Sequence, residues 1–308
     1  MAPTARKRPM RASSRRVLVA TTALVALLAA PARAVLTGPE PIKDVPYGAL
    51  EAENGTVFPA PAQGEETVAF VHGGWCSAQL GEGEELTNHV SPTIDRRPML
   101  QLQRSLGSLV FDIDYPQMTR SRSAYPMEPR AIERAVVWLH EHAAEYGGDP
   151  DNIVMWGSSC GGWVAAEATG FLQEDHPGML SAAIEWSAPW LDVPEFLSEL
   201  IGGETAASGV GPTVEMLECH AFVSKSYADC EESKEIERSP IFHIGACVPW
   251  MISWGEKSDL VDKAQSEMYA TALEAAGCDV TRSPATGGHA LMYFQQKKRA
   301  LFEFIAAH

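Results

Sequence analysis

Ile153-Val154-Met155-Trp156-Gly157-Ser158-Ser159-Cys160-Gly161-Gly162-Trp163-Val164-Ala165-Ala166-Glu167 is the stretch on which the reading of this chain turns. Its first four residues are apolar and uncharged, as in a buried strand, and its last five read as the opening of a helix. Between them Gly157, Ser159 and Gly161 set a G-x-S-x-G pattern at a strand-to-helix turn. Glycines there let the turn pass close to neighbouring backbone, and the serine at the apex, Ser159, is lifted out of the sheet. Ser158 is not at the apex. A serine so displayed is a candidate nucleophile, provided that a nearby base takes its proton.

Outward from this turn the same alternation repeats. Thr67–Val71, Leu109–Ile113, Ile153–Trp156, Ala182–Trp186 and Cys247–Ser253 are short apolar runs with charge only near their ends, the pattern of buried parallel strands. Asp279–Arg282 is a further strand-like piece. Pro129–Tyr146 spaces Ile132, Val136, Leu139 and Ala143 along one helical face, and Gly147-Gly148 ends it. Lys263–Ala276 fits another helix, with Met268, Leu273 and Ala276 toward the core and Gly277 past its end, and a last helix runs through Leu301, Phe304 and Ile305. Strand–helix alternation predicts an α/β fold, a three-layer sandwich with a mostly parallel sheet, in one domain over residues 35–308. From about Pro189 to His243 the rhythm breaks into acidic loop residues and an amphipathic piece (Phe196, Leu197, Leu200, Ile201), which predicts a small cap insertion over the strand ends.

Two further turns carry polar chemistry. After Thr67–Val71 comes His72-Gly73-Gly74-Trp75. Acyl transfer needs backbone N–H groups aimed at an oxyanion, and Gly73 and Gly74 can bring theirs close, with the N–H of Cys160 as a third. His72 reads as a scaffold for that loop. After the strand-like Asp279–Arg282, Gly287-Gly288-His289-Ala290 presents His289 as the candidate base, whereas His140, His142 and His176 fall on a helix or polar loop and His308 is terminal.

These residues resemble the α/β-hydrolase esterases, especially the group with an HGG oxyanion motif that includes hormone-sensitive-lipase-like and feruloyl-esterase-like carboxylesterases and arylformamidases. The resemblance covers about Thr67 to Phe304. It rests on His72-Gly73-Gly74-Trp75, Asp112-Ile113-Asp114-Tyr115-Pro116, the approach Tyr146-Gly147-Gly148-Asp149-Pro150-Asp151-Asn152-Ile153, Gly157 to Gly162, and Gly287-Gly288-His289-Ala290. Cys160 departs from the small alanine common there, and Trp75 follows two glycines rather than three. The resemblance implies a triad in the chain order serine, acid, histidine. The acid then follows Cys247–Ser253, where Glu256, Asp259 and Asp262 stand close together; Asp259, about thirty residues before His289, has the implied separation. Glu256 is expected to cap the loop and Asp262 to cap the next helix. The implied activity is that of a serine carboxylesterase on a small-molecule ester: Ser159, Asp259 and His289 catalytic, Gly73, Gly74 and Cys160 as oxyanion hole. Amide hydrolysis of the arylformamidase type is the alternative within enzymes, and a silent hydrolase-fold binding protein the alternative outside them.

Charge excludes one class of partner. The 308 residues carry a formal charge of −16, and the first 34 hold seven basic groups and no acid, which leaves about −23 for the rest. Phosphate would repel such a surface, so no nucleic acid is expected. No Cys/His cluster has zinc spacing, so neither metal nor organic cofactor is expected. The basic start, the apolar run Val17–Ala30 and Ala32-Arg33-Ala34 read as an export signal at residues 1–34, cut after Ala34, with no stable membrane span left afterwards. An uncleaved anchor, a twin-arginine signal and a transit sequence are the alternatives. Export implies an oxidising compartment for the six cysteines, with Cys219–Cys230 as the expected bridge. For the other four, free buried thiols are the default, and for Cys247 and Cys278, each beside an apolar strand pattern, the preferred reading.

Overall fold

The structure, a computed structural model, describes residues 38–77, 96–119, 122–202, 213, 216, 217, 232–257 and 259–308. Eight strands make one sheet: β1 (Ile42–Pro46), β2 (Asn54–Phe58), β3 (Glu65–Val71), β4 (Leu109–Ile113), β5 (Gly148–Ser158), β6 (Ala182–Trp186), β7 (Trp250–Ser253) and β8 (Val280–Arg282). Their order is β1-β2-β4-β3-β5-β6-β7-β8. The β1–β2 and β2–β4 pairs are antiparallel and all the others parallel. The helices are α1 (Arg97–Gln101), α2 (Met127–His142), α3 (Cys160–Asp175), α4 (Val193–Gly202), α5 (Glu232–Glu237), α6 (Ala264–Ala275) and α7 (Phe294–Ile305).

The apolar runs are continuous because the central strands are covered on both faces. Val68, Phe70, Val110, Val154, Trp156, Ile184 and Met251 pack on Met99 of α1 and on Phe294 and Leu301 of α7. Their neighbours Ala69, Val71, Phe111, Ile153, Met155, Ala183 and Ile252 face the opposite way, onto Ile132, Val136 and Leu139 of α2, Val164 and Leu172 of α3, and Leu273 of α6. This is the three-layer α/β sandwich that the alternation predicts.

β5 starts earlier than the apolar run implies. Its first residues pair with β3 at Gly148 and again from Ile153, so Asp149-Pro150-Asp151-Asn152 is spent in the irregularity between. The helix predicted through Tyr146 gives way after His142 to a 3-10 turn (Ala143–Tyr146), with Gly147 at φ +88° behind it. β7 is shorter than Cys247–Ser253: it begins at Trp250, after Pro249, which has no N–H to give to a ladder. Between β6 and β7, α4 buries Phe196, Leu197 and Leu200, and most of residues 203–231 lie outside the described residues, as do residues 1–37. No helix among the described residues is long and apolar enough to cross a membrane.

The cysteine pairing differs from expectation. Cys247 and Cys278 are not free thiols but a disulfide, and so are Cys76 and Cys160. Cys247 lies outside β7 in an exposed loop, three residues before the strand, so the apolar surroundings that argued for a buried thiol belong to its neighbours. Cys76 and Cys160 are 84 residues apart, but β3 and β5 are parallel neighbours and the two cysteines follow their C-terminal ends, with Cα atoms 5.8 Å apart. Cys219 and Cys230 lie outside the described residues.

Candidate active site

β5 ends at Ser158, and Ser159 takes φ +57°, ψ −136° before α3 starts at Cys160. A side chain in that region is strained, and close packing holds it there. A Cβ on Gly157 would run into the carbonyl of Gly161, and one on Gly161 into the carbonyls of Val71 and His72. Only glycine lets the turn fold this tightly against the end of β3. Ser159 is consequently lifted clear and partly exposed, while Ser158 stays buried in the strand.

His289 and Asp259 arrive on two loops that cross. The loop after β7 and the loop after β8 are tied by Glu256 N–H to Ala285 O (2.9 Å), Ala285 N–H to Trp254 O (2.7 Å) and Gly288 N–H to Lys257 O (2.9 Å). Gly255 passes so near the carbonyl of Gly288 that no side chain fits. The crossing brings His289 Nδ1 to 2.5 Å from Asp259 Oδ1 and leaves His289 Nε2 2.8 Å from Ser159 Oγ. Asp259 is fixed from its other side as well, since its Oδ2 accepts from Gly255 N–H (2.8 Å) and from the Ser187 hydroxyl (2.7 Å). Its neighbours go elsewhere. Glu256 accepts from Trp254 Nε1 (3.0 Å) and pairs with Lys263 (2.9 Å), and Asp262 Oδ1 accepts from Ala264 N–H (2.8 Å) at the start of α6.

The His72–Trp75 turn lies against the serine. A Cβ on Gly73 would come within 2.6 Å of the Ser159 Cβ and 2.7 Å of the Ser158 carbonyl. Gly74 follows at φ +113°, and Trp75 and Cys76 continue at φ +59° and +55°. Cys160 opens α3, where the first N–H groups have no partner inside the helix. His72 is buried, its ring stacked on Tyr115 with centroids 4.6 Å apart and its Nδ1 2.7 Å from Gly73 O, and burial lowers its pKa to about 4. It is a neutral prop for the turn.

Three further side chains, Ser187, Tyr293 and Tyr115, hold this geometry, and the first two carry no motif. Ser187, at φ +52° just past β6, has its oxygen 2.9 Å from the Tyr293 hydroxyl, which reaches Ser253 O at 3.1 Å. Tyr115 donates to the His72 carbonyl (2.7 Å). Below them Glu185 on β6 is fully buried; burial raises its pKa to about 8, and the charge of nearby Asp259 pushes in the same direction. A serine after a strand and a tyrosine before a helix give no signal in one sequence; of the three, only Tyr115 stands in a stretch with recognisable pattern. No group of three or more His, Cys, Asp or Glu residues among the described residues could hold a metal ion.

A mostly parallel sheet clothed on both faces, with a serine at a strained strand-to-helix turn and a histidine and carboxylate on later loops, defines a hydrolase-type α/β protein. The chain belongs to the alpha/beta hydrolase fold family, whose model matches residues 68–291. Esterase LipQ of Mycobacterium tuberculosis (strain ATCC 25618 / H37Rv) is 30% identical over 185 residues, 58% of this chain and 41% of LipQ. The probable carboxylic ester hydrolase LipM of the same strain is 25% identical over 181 residues, 57% of this chain and 40% of LipM. The matches therefore span about two fifths of the length of these curated relatives. Similar solved structures include a truncated carbohydrate esterase from gut microbiota (TM-score 0.66, 17% identity, 88% of this chain and 96% of that one). Another is EstE1, a thermophilic carboxylesterase from a metagenomic library (TM-score 0.62, 19% identity, 89% and 90%). At these identities the likeness is one of fold.

Proposed function

We propose that this protein is a serine carboxylesterase in which Ser159, His289 and Asp259 are catalytic. The observation that carries the reading is the unbroken hydrogen-bonded chain from Ser159 Oγ through the His289 ring to Asp259 Oδ1, at 2.8 and 2.5 Å. In this reading Nε2 takes the serine proton as Oγ bonds to the ester carbonyl carbon. His289 then gives that proton to the departing alcohol as the C–O bond breaks, leaving an acyl-enzyme. Water, deprotonated by the same nitrogen, attacks the acyl carbon and releases the acid and the free serine. Asp259 holds the ring with Nδ1 protonated and offsets the imidazolium charge. The backbone N–H groups of Gly73, Gly74 and Cys160 stabilise the oxyanion. The close approach of Gly73 to Ser159 supports that assignment, as do the names of the two mycobacterial relatives for an ester substrate.

A fluorophosphonate probe followed by peptide mapping tests the nucleophile. Labelling is expected on Ser159 in the intact protein and lost in Ser159→Ala, together with p-nitrophenyl ester hydrolysis, while Ser158→Ala keeps most of both. Labelling on any other residue, or turnover by folded Ser159→Ala, would sink the assignment. We further propose that the protein works in an oxidising compartment after export and cleavage behind Ala34. The two disulfides among the described residues support this, and a mature N-terminus at Val35 in the secreted protein tests it.

A further inference from the structure

We propose that the Cys76–Cys160 disulfide is a positioning device for the oxyanion site, a covalent link that fixes the Gly73–Gly74 turn relative to the elbow at Ser159. The inference rests on the esterase reading above and adds to it a pair of positioning residues.

Both ends of the link sit in backbone that does not hold itself. Gly74, Trp75 and Cys76 are three successive residues with positive φ (+113°, +59°, +55°), and two of them carry side chains. Such a run persists only when its surroundings over-determine it. On the other side, Cys160 follows Ser159, itself at φ +57°. The front of the turn is held by Tyr115, which stacks on His72 and donates to its carbonyl. Behind it, Cys76 O accepts from Met118 N–H at 3.1 Å, and the Tyr115 hydroxyl lies 3.3 Å from Cys76 Sγ. Tyr115 and Met118 both belong to the segment after β4, so these contacts fasten the turn to that segment. The bond to Cys160 fastens it to the elbow.

Its placement matters for the chemistry. One half-cystine lies two residues beyond Gly74, and the other is the residue whose own N–H is the third donor. The bond therefore spans the gap between the two sources of N–H groups, and both sulfur-bearing residues are fully buried. A spacing error of a fraction of an ångström in such donors costs rate in the transition state and leaves ground-state binding nearly unchanged.

The test is Cys76→Ala, Cys160→Ala and the double variant, with Cys247→Ala as a control in the other disulfide. Each keeps every backbone N–H. The expected result is folded protein by circular dichroism, Ser159 still labelled by fluorophosphonate but more slowly, kcat down about thirty- to a hundredfold and KM within about twofold. The two single variants and the double should lose the same factor, because a bond is broken once. A trifluoromethyl ketone, whose hemiketal carries the oxyanion, should weaken by the factor lost in kcat/KM, and Cys247→Ala should leave both values unchanged. Wild-type kcat and ketone affinity in the Cys76 and Cys160 variants, with only thermal stability lowered, would make the bond a plain cross-link and overturn the inference. Losses that add in the double variant would assign them to packing of the separate side chains and also overturn it.

Should the variants not fold, the wild type serves. A small dithiol gives the disulfide two electrons and two protons, leaving two thiols and closing to its own disulfide. Parallel aliquots are assayed and, separately, alkylated and mapped. Activity should survive opening of the Cys247–Cys278 pair, of which Cys247 is exposed, and fall in step with opening of Cys76–Cys160; full activity with the latter open is the contrary result. A wild-type protein that neither labels on Ser159 nor hydrolyses esters would instead defeat the underlying reading, and this inference with it.

Discussion

The two disulfides among the described residues cross-link the parallel part of one sheet at opposite ends. Cys247 and Cys278 precede β7 and β8, whereas Cys76 and Cys160 follow β3 and β5. In a chain-entropy account their loops of 31 and 84 residues stabilise the fold by similar amounts, roughly 3.5 and 4.5 kcal/mol. Their settings differ more than their energies. Around Cys247–Cys278 the backbone is relaxed, with Gly277 taking the left-handed position behind α6. At the other end lie Trp75, Cys76, Ser159, Ser187, Trp190 and Ala290, six of the seven described non-glycine residues with positive φ; the seventh is Asp44 in β1. Each such residue costs on the order of 1–3 kcal/mol. The strained backbone of this molecule is gathered where the strands point their C-terminal ends, and the proposed chemistry is gathered there too.

That contrast can be broken in several places. The largest effect is expected at Asp259. Replacing it with asparagine removes the anion that orients His289, and kcat should fall by about 10⁴ at unchanged KM. Glu256→Gln and Asp262→Asn, whose carboxylates are engaged elsewhere, should stay near wild type in the same ester assay; collapse in either would move the acid to that position. Next comes a methyl group added at each end of the sheet. Gly73→Ala drives a Cβ to 2.6 Å from that of Ser159 and should lower kcat/KM by about 10²–10³. Gly178→Ala, ahead of β6 at φ +89° with open space around it, should cost about 1 kcal/mol of stability and no activity. The third is Cys247→Ala, which should lower unfolding free energy by about 3–4 kcal/mol in a denaturant titration with kcat intact.

The smallest effect concerns pH. Glu185 has its pKa raised by burial to about 8, so the folded state holds a proton that the unfolded chain releases near 4.5. Its contribution to stability is present below the unfolded value and lost as pH rises from about 4.5 through 8. Glu185→Gln, which keeps an acceptor for Ala188 N–H and the Ser266 hydroxyl, should flatten that decline in denaturant midpoints measured across the window. A variant with the wild-type slope would show that Glu185 is ionised in the folded protein.

How far the sequence could be read follows from the same geography. β3 to β7 were legible as apolar runs because helices cover both faces; the candidate serine and histidine stood at glycine-flanked turns, whereas the candidate acid was one of three carboxylates, Glu256, Asp259 and Asp262, singled out only by the separation the resemblance implies. β1 and β2 were not. Ile-Lys-Asp-Val-Pro is an edge strand whose only buried residue is Val45, and β2 opens on Asn54-Gly55, so neither carries a core pattern. Ser187 and Tyr293 steady Asp259 through positions fixed only by the tertiary fold. Cysteine pairing was invisible for a related reason. Cys76 and Cys160 become neighbours only because β5 pairs with β3, and Cys247 looked buried only while Val248 and Pro249 were counted into a strand that begins at Trp250.

The pairing also has an order in time. No cysteine lies between Cys76 and Cys160, and none between Cys247 and Cys278. Six cysteines allow fifteen complete pairings, and both bonds belong to the one in which each cysteine joins the next to emerge from the ribosome or translocon. A chain oxidised progressively from its N-terminus reaches these bonds by succession alone, with no intermediate bridge to be undone by an isomerase. The link beside Ser159 is then within reach once the chain has emerged past Cys160, well before His289 is made, so the turn proposed to hold the oxyanion can be set before the proposed base is there to use it.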